Sequence, residues 1–110
     1  MMKRGNFLFI EQNGNEYTIS MTPELQDDIG TVGFVEYSEE DNIEKDGGIA
    51  NLEASKTVLE ITSPISGKVA ERNEAVIANP TLLNSAKKEE NWLVKLVEVD
   101  TVEFDALEEA

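Results

Sequence analysis

The sequence predicts a mainly β fold, a sandwich or flattened barrel of mostly antiparallel strands. Short strand-like runs follow one another closely and are separated by turn-forming residues, which is the spacing typical of such folds. The helical patterns are short and few. The chain has 110 residues, 40% of them hydrophobic, which suits a single domain over residues 1–110 with a modest core.

A hairpin and a short helix are expected at the N-terminal end. Strand-like runs at 7–10 and 16–20 flank Asn13-Gly14, a dipeptide that favours the positive backbone φ angles of a tight turn. The helix that follows has an N-cap, a first residue, two apolar core contacts and a stop signal, which are Thr22, Pro23, Leu25, Ile29 and Gly30.

The middle of the chain is predicted to form a hairpin with Lys56 at its tip. Two strand-like runs, 49–55 and 57–62, meet at Ser55-Lys56. Because side chains alternate along a strand, a two-residue loop there gives one apolar and one half-solvated face. The pairs on the apolar face are then Ala54 with Thr57, Leu52 with Leu59 and Ala50 with Ile61, and those on the other face are Glu53 with Val58 and Asn51 with Glu60.

The segments around this hairpin are expected to be short strands, loops and turns. They are a strand over 32–37, an acidic loop over 38–46 with a brief strand at Ile43, a turn over 63–67 and a strand over 68–71.

The C-terminal part is expected to contain a helical turn, a strand and a terminal helix. Asn79-Pro80 can cap and open the turn, and residues 92–99 give a strand that Trp92 opens as a core residue. Asp100 and Glu103 resemble a capping box at the start of a helix over 101–109. Its expected anchors are Val102, Phe104 and Leu107.

Composition argues against several functions. The net charge of −14 repels nucleic acid and anionic membranes and favours basic partners. No apolar run approaches the length of a membrane span, and the stretch 7–10 is too short for a signal peptide, so we expect a cytoplasmic location. We also expect a monomer. Without cysteine or histidine, the chain lacks the thiol nucleophile, the usual base and the commonest metal ligand. We therefore expect no catalytic residues and no metal site.

A lysine at a tight turn is sterically open, so another enzyme can acylate it. Around Lys56 the sequence also contains Glu53 three residues before it, Ser-Pro-x-Ser-Gly over 63–67 with Gly67 eleven residues after it, and Asn73. This region resembles the lipoyl-attachment region of glycine cleavage system H proteins. With the stretches 29–36, 73–84 and 90–95, the resemblance covers about residues 29–100.

The resemblance implies a barrel-sandwich hybrid, the hammerhead of lipoyl and biotinyl carriers, with two antiparallel sheets, short helices and a C-terminal helix. Lipoate would be attached to Lys56 by a lipoate ligase or lipoyl transferase, with Glu53 and Gly67 recognised as part of the attachment motif. The lipoamide arm would accept and deliver an aminomethyl group. The implied partners are glycine decarboxylase, aminomethyltransferase and dihydrolipoamide dehydrogenase.

Two alternatives remain open. The chain also resembles short H-like proteins that, once lipoylated, are targets of reversible ADP-ribosylation controlled by sirtuin and macrodomain proteins in a redox response. Asp27 or Asp28 would then be the candidate acceptor of the ADP-ribose. A biotinyl carrier is disfavoured, because Ser55 and Thr57 flank the lysine where biotin acceptors usually have methionines. The chain also departs from typical H proteins, with no histidine and with Glu-Ala-Ser-Lys-Thr in place of Glu-Ser-Val-Lys-Ala.

Overall fold

The computed structural model describes residues 1–110 and consists of two antiparallel sheets with short helices. The ten strands are β1 Met2–Gly5, β2 Leu8–Asn13, β3 Glu16–Met21, β4 Val32–Tyr37, β5 Asn42–Ile43, β6 Gly48–Ala54, β7 Val58–Thr62, β8 Gly67–Arg72, β9 Trp92–Val97 and β10 Glu108–Glu109. The helices are α1 Pro23–Ile29, α2 Ala75–Ala78, a 3₁₀ helix Pro80–Asn84 and α3 Thr101–Asp105. One sheet has the order β10-β1-β2-β3-β9-β8-β5 and the other β4-β6-β7. The predicted mainly β class is confirmed.

The N-terminal hairpin and helix form as predicted, with one difference in the turn. Asn13 pairs with Glu16, so the two-residue loop is Gly14-Asn15, and Gly14 alone in it has a positive φ, at 63°. This pattern belongs to a hairpin turn with glycine at its first central position. In α1, Thr22 caps the helix by accepting a hydrogen bond from Leu25 N.

The lysine hairpin has the predicted register. Leu52 pairs with Leu59, and Ala50 pairs with Ile61. The predicted acidic loop also contains the brief strand β5, which pairs with the start of β8. The apolar faces of the two sheets enclose one core, whose fully buried large side chains include Leu8, Ile10, Ile19, Met21, Ile49, Leu52, Ile65, Leu83, Leu93, Leu96 and Phe104.

Tyr37 joins the end of β4 to the large sheet. Its hydroxyl is within hydrogen-bond distance of two carbonyls, those of Asn73 (3.0 Å) and Leu93 (2.9 Å). Burial raises the pKa of Tyr37 above its ordinary value, because the charged form loses solvation. Tyr37 therefore holds the small sheet against β9 as a neutral phenol.

The predicted C-terminal helix over 101–109 is wrong in length. The helix α3 ends at Asp105, and the chain then forms β10, where Glu109 and Glu108 pair with Lys3 and Arg4 of β1. Lys3 lies buried, and its Nζ donates to the carbonyls of Asp105 and Leu107. This cation supplies donors to carbonyls at the end of the helix, which stabilises an end there, and the chain beyond it pairs with β1.

The capping box predicted at the start of α3 forms only in part. Asp100 Oδ1 accepts from the backbone N–H groups of Val102 and Glu103, as expected. Glu103 instead accepts from Ser66 N at 2.7 Å, and Asp100 N donates to Ser66 O. Val102 is 77% exposed and does not anchor the helix, whereas Phe104 is buried.

Two further predictions in the C-terminal half need correction. The helical turn after Asn79 is present as the 3₁₀ helix, but the Asn79 side chain makes no capping hydrogen bond. Trp92 begins β9 and is only partly buried on the outer face of the large sheet, where Lys95 Nζ lies 5.0 Å from its ring centroid. Neither α2 nor β1 was indicated by the sequence pattern. None of the helices is long and apolar enough to cross a lipid bilayer.

Candidate functional site

Lys56 lies at the tip of the β6–β7 hairpin with its amine accessible. The residue is exposed, and it takes part in none of the ion pairs of the chain. Lys56 Nζ donates one hydrogen bond, at 2.9 Å, to the carbonyl of Asp27 near the end of α1. An amine held by one solvent-exposed carbonyl is free to leave it, and a cation at this position also suits the C-terminal end of a helix.

The backbone of the lysine turn is held by the segment between α1 and β4. We call residues 29–32 the α1–β4 segment. Lys56 N donates to Ile29 O at 3.0 Å, and Ser55 N donates to Thr31 O at 2.9 Å. In return, Thr31 N donates to Ser55 Oγ at 3.0 Å. Both amides of the two-residue loop are therefore satisfied by a neighbouring segment, so the base of the lysine side chain has a fixed position.

Gly30 is the residue that makes this contact sterically possible. Its backbone has φ 78° and ψ −155°, a combination that is essentially restricted to glycine. A β-carbon at this position would overlap Ser55 Oγ and would lie 3.2 Å from Lys56 Cγ. The lysine turn and the α1–β4 segment can therefore approach this closely only because residue 30 has no side chain.

Asn84 supports the same segment with its side-chain amide. Its Nδ2 donates to Gly30 O and its Oδ1 accepts from Val32 N, both at 2.8 Å. The bidentate contact joins the end of the 3₁₀ helix to the α1–β4 segment. Lys56 is thus positioned by residues that are distant in sequence.

Three of the other predicted site residues adjoin Lys56, and one does not. Asp27 and Asp28 are exposed at the end of α1, and Glu53 is exposed on β6 three residues before the lysine. None of these carboxylates belongs to an ion pair. Gly67 lies past the far end of β7, where a side chain would crowd Val99 Cγ2 at 3.0 Å and the backbone of β9. Close packing of β8 on β9 accounts for this glycine.

Sequence reasoning missed the role of three residues in this arrangement. Gly30 was interpreted only as a helix stop, Ser55 only as a loop residue and Asn84 only as part of a polar loop. A signal for Ser55 exists, since it stands where related attachment motifs have valine and only a hydroxyl can accept from Thr31 N. The pairing of Asn84 with Gly30 has no local signal, because 54 residues separate them.

The fold and the site together define a carrier, a β domain that displays one primary amine for covalent attachment of a prosthetic group. The amine is exposed, belongs to no ion pair and is fixed at its base, and such a group fits acylation by a carboxylic acid. The family model of the glycine cleavage H-protein matches residues 2–110. The chain therefore belongs to the glycine cleavage H-protein family.

Individual relatives agree with this assignment. The chain is 53% identical over 110 residues to the glycine cleavage system H-like protein of Staphylococcus aureus, and the match covers all of both chains. It is 34% identical over 100 residues to the glycine cleavage system H protein of Listeria welshimeri, which covers 90% of this chain and 80% of the other. The crystal structure of a Mycobacterium marinum glycine cleavage system H protein superposes with a TM-score of 0.76 at 19% identity, covering 87% and 81% of the two chains.

The family assignment confirms the predicted lipoyl-carrier fold and the cofactor. Glycine cleavage H proteins carry a covalently attached lipoate on a lysine, and they are carriers and not catalysts. The superposition at 19% identity bears on the fold alone.

Proposed function

We propose that residues 1–110 form a single lipoyl-carrier domain of the glycine cleavage system, with lipoate attached to Lys56. The observation that carries this proposal is the exposed Lys56 amine on a turn whose backbone is held by the α1–β4 segment. Two other lysines are less suited, because Lys3 is buried and Lys95 is shared between Glu16 and Glu71.

The chain's own contribution is presentation. Lipoate bound to Lys56 would supply the dithiolane on which aminomethyl and electron transfer in glycine decarboxylation depend. Acylation removes the ammonium charge but leaves one N–H on Nζ, so the hydrogen bond to Asp27 O becomes weaker and the arm leaves α1 more readily while its base stays fixed. The unpaired carboxylates around the turn favour partner surfaces with basic groups.

The proposed partners and location follow from the same assignment. A lipoate ligase or lipoyl transferase would load the protein, and glycine decarboxylase, aminomethyltransferase and dihydrolipoamide dehydrogenase would use it. The protein would act in the cytoplasm as a monomer.

Intact-mass measurement tests the attachment site. The wild-type protein is incubated with lipoate, ATP and a lipoate ligase, beside Lys56→Arg and the matched control Lys87→Arg, which changes an exposed loop lysine. We expect the mass of one lipoyl group on wild type and on Lys87→Arg, and none on Lys56→Arg. Modification of Lys56→Arg to the wild-type extent would contradict the assignment. The loaded protein should then support glycine-dependent NADH formation with the three purified enzymes.

The position of Asp27 and Asp28 favours a second candidate function, that of a lipoylated target of sirtuin-catalysed ADP-ribosylation reversed by a macrodomain protein. Both carboxylates are exposed and free of ion pairs, and the carbonyl of Asp27 accepts a hydrogen bond from Lys56 Nζ. An acceptor carboxylate there would lie beside the arm, so its ADP-ribose would obstruct partners that approach Lys56.

This candidate is tested with a sirtuin, NAD and the lipoylated protein. We expect a mass gain of one ADP-ribose that a macrodomain hydrolase removes. Replacement of Asp27 and Asp28 by alanine should abolish the gain, while Asp105→Ala, a change at another exposed aspartate, should not. Full modification of the Asp27→Ala, Asp28→Ala double variant would exclude both residues as acceptors.

A further inference from the structure

An exposed phenylalanine lies on the small sheet next to the lysine turn, and a β-bulge places it there. On β4, Val32 pairs with Ala54 and Phe34 with Glu53, so Gly33 is an extra residue in the strand. Val32 and Val35 are both buried, which uninterrupted alternation would not allow. The extra residue turns Phe34 outward, where 48% of it is exposed.

A second exposed apolar side chain completes a row across the sheet. Glu53 pairs with Phe34 on one side and with Val58 on the other, and directly paired residues share a face. Val58 is 70% exposed. The row Phe34, Glu53 and Val58 spans about 10 Å across the three strands. We call these three residues the outer row.

The outer row has no partner within the chain. Glu53 takes part in no ion pair or hydrogen bond of its side chain, and the same face continues into Glu36 and Glu60, whose carboxylates are also free of ion pairs. An acidic group between two exposed apolar side chains complements a surface with a cationic group inside an apolar rim. Exposed apolar side chains with polar neighbours mark protein–protein interaction sites.

We propose that the outer row is the docking surface for the enzyme that attaches lipoate to Lys56. The proposal rests on the proposed function. Enzymes that use the loaded arm react with the dithiolane at its far end and need no contact with Nζ. The attaching enzyme must bring its acyl adenylate to Nζ itself, so its surface has to cover the strands on either side of the turn, and Glu53 and Val58 are only three and two residues from Lys56.

The chemistry of loading sets this steric requirement. The neutral Lys56 amine attacks the carbonyl carbon of the lipoyl adenylate, and a C–N bond forms. The C–O bond to the phosphate breaks, AMP leaves, and the amine proton passes to solvent or to a base of the enzyme. The Lys56 ammonium must first lose a proton to solvent or to a base of the enzyme, which weakens the Nζ hydrogen bond to Asp27 O, and binding on the outer row supplies free energy for holding the turn in place during the attack.

Steady-state lipoylation kinetics test the proposal. The substrates are the wild-type apoprotein, the double variant Phe34→Ala, Val58→Ala, and the control Val102→Ala, which deletes the same atoms as Val58→Ala from a side chain that is 77% exposed on α3. With a purified lipoate ligase, lipoate and ATP, we expect the double variant to raise KM about tenfold with kcat within about twofold. Val102→Ala should match wild type. Circular dichroism confirms that each variant is folded.

The outcomes separate this inference from the proposed function. If the wild-type protein is never lipoylated, the proposed function itself is contradicted. A wild-type protein that is lipoylated, together with a double variant of unchanged kcat/KM, would overturn the docking surface and leave the function standing. Sedimentation tests whether a second copy of the chain occupies the outer row instead. A wild-type protein that is a dimer, together with a double variant that is a monomer, would assign the outer row to self-association and overturn the proposal.

Discussion

The hairpin turns at Gly14-Asn15 and at Ser55-Lys56 both have two-residue loops, yet they are stabilised in different ways. Gly14 has φ 63° and nothing within 4 Å of the position of an added β-carbon, so that turn is made by its own backbone. Neither Ser55 nor Lys56 has a positive φ, although the favoured two-residue hairpin turns require one. The lysine turn instead depends on hydrogen bonds to the α1–β4 segment. A turn that presents a group to other proteins is thus fixed by the tertiary structure, and one that only reverses the chain is not.

Replacing the two glycines tests this difference most strongly. Gly30→Ala should lower the free energy of unfolding by about 3 kcal/mol, because its backbone conformation is restricted to glycine and its β-carbon would overlap Ser55 Oγ. Gly14→Ala should cost only about 1 kcal/mol, the strain of a positive φ at an alanine in open space. Urea unfolding measures both. Equal losses of unfolding free energy would mean that the lysine turn depends no more on contacts with other segments than the N-terminal turn does.

Removing the second support of the α1–β4 segment should have the next largest effect. Asn84→Ala leaves Gly30 O and Val32 N without their partner and should cost about 2 kcal/mol. The matched control is Asn79→Ala, since Asn79 is exposed and its side chain makes no capping hydrogen bond. A difference below about 0.5 kcal/mol between the two variants in urea unfolding would contradict the supporting role of Asn84.

A variant at the other end of β4 should change the stability of the protein without changing how Lys56 is presented for lipoylation. Tyr37→Phe should lower the free energy of unfolding by about 1 kcal/mol near neutral pH and leave the lipoylation rate unchanged. Because burial raises the Tyr37 pKa in the folded state, the folded protein keeps this proton where the unfolded chain loses it. Wild-type stability should therefore fall as the pH rises above about 10, and the gap to Tyr37→Phe should narrow. A gap that widens there would contradict the pKa direction.

The smallest effect on stability is expected at Ser55. In contrast to Tyr37→Phe, a change there should affect the lipoylation rate more than the free energy of unfolding. Ser55→Ala removes the acceptor of Thr31 N at an exposed site and should cost about 0.5 kcal/mol. Because the base of Lys56 would be held less firmly, kcat/KM for lipoylation should fall on the order of threefold. Thr57→Val is the control on the other side of the lysine, where the hydroxyl has only a 3.4 Å contact with Val58 O. Equal rates for the two variants would show that presentation does not depend on the Ser55 hydroxyl.

The same contrast explains what could be read from the sequence. The lysine hairpin was predicted with its register, because alternation over two adjacent strands is a local pattern with a single good alignment. The helix α1 was also predictable, since Thr22, Pro23 and Gly30 mark its ends within a few residues. These elements are specified by neighbours in the chain.

The missed features depend on contacts between distant segments. The expected helix over 101–109 continued an apolar spacing, but the buried Lys3 amine satisfies carbonyls at its end and β1 offers a pairing edge. Opposite charges across that pair, Lys3 with Glu109 and Arg4 with Glu108, become visible only once the two termini are known to meet. The bidentate role of Asn84 and the bulge at Gly33 are equally non-local.

The hydrogen bonds from the backbone of residues 55 and 56 to the α1–β4 segment have a consequence for any group that is attached to Lys56. Because the base of the side chain is fixed, the attached group would reach only as far from the turn as its own length and that of the lysine allow. An enzyme that acts on the group has to bring its catalytic centre within that distance, so enzymes that act on it one after another have to dock at this end of the protein.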